Sequence, residues 1–251
     1  MIFVNAKINR AIELFRELNA EVERWKNSGP IEVLQECNKE RTQFVTGVRF
    51  RKEPDALKWS IIAGDILFNL RCALDHLVFY LAIVDSGKNP PERARRLMFP
   101  VTNSDDQLEG AIGARRLFGC SEETIDYIRS VQPYVAFDDS QKSPLRTINY
   151  LNNVDKHRHL HMSVFSVVGT EAELTDLPEG TVKVSVNDQP LEKEDWVISI
   201  ETDTPSAGPE GTIGFSIRFG LLEDRFKGRQ LLEVLKEAID YVVEIAKPYQ
   251  A

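Results

Sequence analysis

The first candidate site in this sequence is a polar segment within an otherwise apolar stretch. It contains Asp65, Asn69, Arg71, Asp75 and His76. At about 100° per residue, Asp65, Asn69 and His76 fall on one face of a helix. Arg71 and Asp75 have the i, i+4 spacing of a helical ion pair. An arginine fork can hold a phosphate and a histidine can move protons near neutral pH, so these residue types predict metal-free phosphodiester chemistry as one function.

The second candidate site lies in a segment near residue 155, which holds three of the four histidines. Within it, Asn152, Asp155 and His159 have helical spacings of three and four residues, which again defines one face. Because a buried polar group needs a partner, we expect the two polar faces to lie on adjacent helices. The segment as a whole contains Asn152, Asp155, Lys156, His157, Arg158, His159 and His161.

Three other interpretations of these segments remain open. His157 and His161, at i, i+4, could hold a metal with Asp155 or His76 as a third ligand. Cys72 and His76 have the same spacing and could form a thiol nucleophile with its base, although no glycine-rich elbow lies nearby. In the structural interpretation, the ion pairs are inert and the basic residues suit the end of a helix.

Hydrophobic periodicity predicts the elements that position these segments. A broad apolar stripe on a helix must be buried, so the four long helices are expected to pack as one bundle carrying an inserted β-hairpin and a small antiparallel sheet. The predicted fold is a single α+β domain over 1–251, with a helical core at 1–160 and 228–247 and a β insertion at about 161–220. The predicted helices are 5–27, 56–84, 144–160 and 228–246; the hairpin strands lie within 31–50, and the remaining strands are 163–168, 181–186, 196–201 and 212–219.

Charge and composition limit the function classes. The net charge is −8, and residues 161–251 carry 17 acidic and 8 basic side chains, which argues against a protein that coats nucleic acid generally. Local basic clusters leave room for an anionic ligand, and they comprise Arg93, Arg95, Arg96, Arg115 and Arg116. An odd cysteine count, no visible signal peptide and no apolar run of about 20 residues favour a cytoplasmic protein that does not bind membranes.

The string Arg71-Cys-Ala-Leu-Asp-His76 resembles the R-x4–6-H signature of the HEPN superfamily, small helical bundles that are often metal-independent ribonucleases of toxin and defence systems. The longer string Asn69-Leu-Arg-Cys-Ala-Leu-Asp-His-Leu77 and the Asp-Lys-His-Arg string at 155–158 are similar to strings in uncharacterised bacterial proteins. The resemblance implies a four-helix HEPN-like bundle that cleaves RNA without cofactor or metal. It also implies a homodimer in which two motifs meet, and an antitoxin-like partner.

The same resemblance implies roles for the individual residues. Arg71 would hold the scissile phosphate and His76 would transfer protons. Residues expected to orient them are Asn69, Asp75 and Asp65. Residues expected to make secondary contacts are Asn152, Asp155, Lys156, His157, Arg158 and His159. The alternatives are a non-catalytic HEPN-like binding or dimerisation module of unknown ligand, and a metal-dependent hydrolase that uses His157 and His161.

Overall fold

The computed structural model describes residues 1–157, 160, 162–168, 182–205, 215–222, 226 and 229–249. The fold is α+β, as predicted. The chain forms two compact units. The helical unit comprises Met1–Asn19, Leu57–Leu160 and Leu232–Ala251, and the sheet unit comprises Ala20–Ala56 and His161–Leu231.

The four predicted long helices are present, with ends shifted by a few residues. Shorter helices connect them, and two of these begin at serine N-caps whose hydroxyl oxygens accept backbone hydrogen bonds. The α-helices are α1 Ile2–Asn27, α2 Ala56–Ser86, α3 Asp105–Gly113, α4 Glu122–Ser130, α5 Pro133–Ala136, α6 Pro144–His157 and α7 Leu231–Ala246.

Helix α2 is the core of the helical unit. Its sequence is apolar on most sides, and its buried side chains include Ile66, Leu70, Leu74 and Leu77. Within the described ranges it is the one helix long and apolar enough to cross a bilayer, and its most apolar stretch is 56% buried inside the protein. Polar residues on such a helix need partners from neighbouring elements.

Helix α6 approaches α2 closely at Gly64. A Cβ atom built on Gly64 would lie 2.5 Å from Oδ2 and 2.6 Å from Oδ1 of Asp155. The carboxylate of Asp155 therefore occupies the space that any larger side chain at position 64 would fill. Glycine is required here for close approach, despite its low helix propensity.

The segment that follows residue 98 is held against the helical unit by buried polar groups. Gln132 is fully buried, and its Nε2 donates to the carbonyl oxygens of Pro100 and Ile128. Its Oε1 accepts from both the backbone N–H and the hydroxyl of Thr102. These bonds fix the chain just after Phe99, whose side chain is fully buried.

The strands form two sheets in the sheet unit. The strands are β1 Ile31–Cys37, β2 Gln43–Phe50, β3 Met162–Val168, β4 Val182–Val186, β5 Glu194–Thr202 and β6 Phe215–Leu221. An antiparallel four-stranded sheet has the order β1-β2-β5-β4, and β3 pairs with β6 separately. Within this unit the Trp25 ring contacts the rings of Phe50 and Phe219.

Two aspects of the predicted strand arrangement are wrong. The hairpin is not a separate insertion, because β2 pairs with β5, with Thr46 opposite Ile198. The later strands do not form one sheet of four, because β3 and β6 pair with each other. Alternation with period two identifies a strand but carries no information about its partner. The single-domain organisation stays a prediction.

The Gly64 contact generates a stability prediction. Gly64→Ala is expected to lower the free energy of unfolding by about 1 kcal/mol, because the gain in helix propensity is outweighed by displacement of the Asp155 carboxylate. Gly110→Ala in α3 is the control, since a Cβ there meets nothing within 4 Å. It should stabilise by up to ~1 kcal/mol. Urea unfolding measures both changes.

Gly64→Ala in an Asp155→Ala background separates the steric contact with the carboxylate from the gain in helix propensity. Without the carboxylate, Gly64→Ala should become neutral or stabilising relative to that background. A stabilising Gly64→Ala in the wild-type background would contradict the close approach.

Candidate functional site

The predicted polar stripe on α2 is satisfied mainly by α1. Asn69 is buried, its Nδ2 donates to the carbonyl oxygen of Asp65 at 2.8 Å, and its Oδ1 accepts from Lys7 Nζ at 3.1 Å. The Asp65 side chain is exposed, and its orienting role stays a prediction. The stripe therefore exists, but its central amide is bound by a lysine of another helix.

Lys7 is the site residue that sequence reasoning missed. Its ammonium lies 5.7 Å from the Phe68 ring centroid in addition to its bond with Asn69. A signal for it was present, because Lys7 occupies a place in the apolar repeat of α1 between Val4 and Ala11, which are both buried. A charged residue within a buried repeat indicates a polar partner on the facing element.

Arg71 and Asp75 form the predicted ion pair, at 2.8 Å between Nη2 and Oδ1. The same Nη2 atom donates to the carbonyl oxygen of Phe99 at 2.7 Å, and the backbone N–H of Phe99 donates to Asp75 Oδ1 at 2.9 Å. The Arg71 side chain is only 11% exposed. We call this closed set of three contacts the Phe99 clamp. Asp75 contacts Arg71 as the spacing predicted, and in this arrangement the guanidinium points at the backbone carbonyl of Phe99.

His76 follows the clamp and has a different environment. Its imidazole is half-buried and stacks on the Phe3 ring of α1, with ring centroids 5.8 Å apart and an interplanar angle of 27°. In the part of the chain that the structure describes, no side chain or backbone group is hydrogen-bonded to it. Its ring nitrogens can therefore still serve in proton transfer or ligand binding.

The structure places the second predicted segment only in part. Asn152 is buried, Asp155 lies over Gly64 of α2, and Lys156 is exposed at the end of α6. The His157 side chain lies outside the described residues. So do Arg158, His159 and His161, and with them the predicted metal pair. Among the described residues, no group of three or more potential metal ligands occurs.

Charges from three helices act on the thiol of Cys72. Burial raises the pKa of this thiol, while Lys7 of α1, Lys156 of α6 and Arg71 oppose that shift and Asp75 adds to it. The face of α2 that carries the motif therefore receives positive charge from both neighbouring helices. A raised pKa deprives Cys72 of the thiolate that a nucleophile needs, which counts against the interpretation of Cys72 and His76 as a catalytic pair.

The chain matches no protein-family model, no curated protein and no solved structure.

The Phe99 clamp predicts strong coupling between its two side chains. Arg71→Ala should lower the free energy of unfolding by about 1–3 kcal/mol, because it leaves the buried Phe99 carbonyl without its side-chain donor and the Asp75 carboxylate without its cation. A double-mutant cycle with Asp75→Ala should give a coupling energy of about 1–2 kcal/mol. The matched pair is Lys236 and Asp240, which has the same i, i+4 spacing on an exposed surface and should give less than ~0.5 kcal/mol. Equal coupling in both cycles would show that the clamp is an ordinary surface pair.

Thiol reactivity tests the interpretation of Cys72. All three cysteines are free, and only Cys37 is exposed. Because burial raises the pKa of Cys72, and that of Cys120 to about 12, a thiol reagent at about pH 8 should modify Cys37 first. The rate at Cys72 should rise as pH increases and more thiolate forms. Cys37→Ser should remove the fast phase, and a fast phase that persists in this variant would indicate an activated Cys72.

Proposed function

We propose that this chain is a HEPN-like helical protein in which the R-x4–6-H motif supports structure, so that the protein acts as a non-catalytic binding and dimerisation module. The four long helices α1, α2, α6 and α7 supply the elements of a four-helix HEPN-like bundle. The motif lies on α2, the core helix of the helical unit.

The observation that carries this proposal is the engagement of Arg71. An arginine that holds a scissile phosphate must point its N–H fork at the incoming anion. Here the Nη2 atom already donates to Asp75 and to the Phe99 carbonyl, and the side chain is 11% exposed. A phosphate that bound this Nη2 atom would have to displace the Asp75 carboxylate from Arg71. Displacement would also break the bond that holds the Phe99 carbonyl.

Exposed apolar side chains on α1 and α2 support the dimerisation part of the proposal. They are Ile2, Phe3, Leu57, Ile61 and Phe68, each more than 45% exposed. Phe3 stacks on His76, and Phe68 receives the Lys7 ammonium, so two of them border the motif face directly. Large exposed apolar groups beside the motif face, such as Phe3 and Phe68, favour an interaction surface there. A second copy of the chain is the partner we propose.

A second candidate function is metal-independent cleavage of RNA centred on His76. The observation in its favour is that no group of the described residues is hydrogen-bonded to the His76 ring, while Lys7 and Lys156 contribute positive charge at Cys72 on the same helix. In this version a lysine takes the phosphate-holding role and Arg71 remains in the Phe99 clamp. A toxin or defence setting and an antitoxin-like partner belong to this candidate alone.

Incubation with single-stranded RNA in excess EDTA distinguishes the two candidates. We expect no cleavage above buffer by the wild type, His76→Ala or Lys7→Met, because Nη2 of the motif arginine is engaged by Asp75 and Phe99 and the side chain is mostly buried. Arg71→Ala is unsuitable here, since it is expected to lower the stability of the protein and a loss of activity could then have a structural cause. EDTA-resistant cleavage that is lost in His76→Ala and leaves 2′,3′-cyclic phosphate ends would overturn the proposal and establish the second candidate. Cleavage that requires added divalent metal would point to the hydrolase that uses His157 and His161.

Sedimentation of the same preparations tests the dimerisation part of the proposal. The wild type should be dimeric at micromolar concentration, and Phe68→Glu should make it monomeric. Val84→Glu is the control, because Val84 is 56% exposed on the distal end of the same helix. A monomeric wild type would overturn the dimerisation part.

A further inference from the structure

Five exposed arginines cluster on the helical unit. They come from the segment after α2 and from the turn that follows α3, and they are Arg93, Arg95, Arg96, Arg115 and Arg116. None of the five forms an ion pair with a described residue. We call this group the arginine cluster.

Two contacts join the two segments that carry the arginine cluster. The guanidinium carbons of Arg93 and Arg115 lie 5.4 Å and 5.5 Å from the centroid of the Phe118 ring. The backbone N–H of Met98 donates to the carbonyl oxygen of Arg116 at 3.2 Å. The cluster is therefore built by tertiary structure from two sequence-distant turns.

Other arginines of the helical unit are of both kinds, since exposed Arg16 also forms no ion pair with a described residue. Arg129, by contrast, contacts Asp105, Glu109 and Asp126. The nearest acidic residue in sequence, Glu92, pairs with Lys88 and acts on Arg93 only through space. Like charges held together without counter-ions repel each other, so the arrangement costs free energy that a bound anion would recover.

The backbone at the two arginines beside Phe118 has positive φ, as it also has at Arg41 in the turn between β1 and β2, where φ is 55°. Arg93 and Arg115 have φ of 57° and 66°, in the left-handed region that glycine and asparagine occupy at lower cost. The sequence nevertheless places arginine at both positions. Strained backbone of this kind is concentrated at ligand-binding and other functional positions.

We propose that the arginine cluster binds the phosphate backbone of single-stranded nucleic acid. Arginine forks bind phosphate oxygens in pairs, and single-strand sites combine a positive surface with aromatic and guanidinium planes on which bases stack. Phe118 with Arg93 and Arg115 supplies such planes. An anionic membrane is the weaker partner, because no large apolar side chain between residues 88 and 120 is strongly exposed and could insert into lipid.

This inference goes beyond the proposed function by giving a ligand class and a separate site, and it does not require a catalytic motif. The Phe99 clamp is connected to the arginine cluster through the backbone. Arg71 and Asp75 fix Phe99, and the adjacent Met98 holds Arg116. The motif therefore positions one edge of the arginine cluster.

Fluorescence anisotropy with labelled oligouridine and oligothymidine of about 20 nucleotides, longer than a typical single-strand site, tests the proposal. Arg95→Gln/Arg96→Gln/Arg116→Gln should raise Kd at least about tenfold for both strands. It should also reduce the slope of log K against log salt by about 2, since each lost phosphate contact contributes ~0.7 for single strands. The matched control is Arg10→Gln/Arg24→Gln/Arg49→Gln, which removes the same charge from exposed arginines that are ion-paired. The control should bind within about twofold of the wild type.

A second variant guards against loss of folding. Arg93→Gly/Arg115→Gly places glycine where φ is positive, so the melting temperature should not fall, while Kd should rise as in the triple variant. Three results would overturn the proposal. They are no saturable binding by the wild type at micromolar concentration, equal weakening in the matched control, and binding to phosphatidylserine vesicles without binding to either oligonucleotide. None of these results depends on whether RNA is cleaved, so failure here is separate from failure of the proposed function.

Discussion

The helical unit depends on how the guanidinium of Arg71 is neutralised. Asp75 lies one turn away on the same helix and supplies the charge, and the carbonyl oxygen of Phe99 supplies a second acceptor. In return, the Phe99 N–H donates to the same carboxylate. An isolated helical ion pair would stabilise little, but this one fixes a backbone segment whose side chain is fully buried. The path of the chain after α2 follows from this contact and from Gln132 just beyond it.

Other positions on α2 are likewise explained by contacts with neighbouring helices. The Asn69 amide oxygen accepts a hydrogen bond from Lys7. The missing side chain of Gly64 leaves room for the Asp155 carboxylate where α6 approaches α2. Arg71, Asn69 and Gly64 therefore each have a structural reason to occupy their positions on this core helix. The motif arginine serves a clamp as well as it would serve catalysis. Only the direction of the guanidinium distinguishes the two.

Charge distribution matters more here than total charge. The net charge is −8, with its acidic excess in the last third of the sequence. The arginine cluster nevertheless concentrates positive charge at one place, because a turn after α2 and a turn after α3 meet at Phe118. Some exposed arginines elsewhere, such as Arg10 and Arg24, have carboxylate partners one helical turn away, although Arg16 forms no ion pair with a described residue. The cluster is distinguished by bringing together arginines of two turns that are distant in sequence.

Local sequence determined the helices, the hairpin and the Arg71–Asp75 pair, because periodicity, capping residues and i, i+4 spacing act within one or two turns. It did not determine what the pair binds, since Phe99 lies 28 residues beyond Arg71. It also did not determine that Lys7 would reach Asn69 across 62 residues, or that β2 would pair with β5. Such partners are selected by the packing of whole helices and strands. Many packing arrangements bury similar apolar area, and only the arrangement that satisfies the complete set of polar groups is favoured. The tertiary structure alone therefore decided that Arg71 points at a backbone carbonyl and that five arginines share one surface.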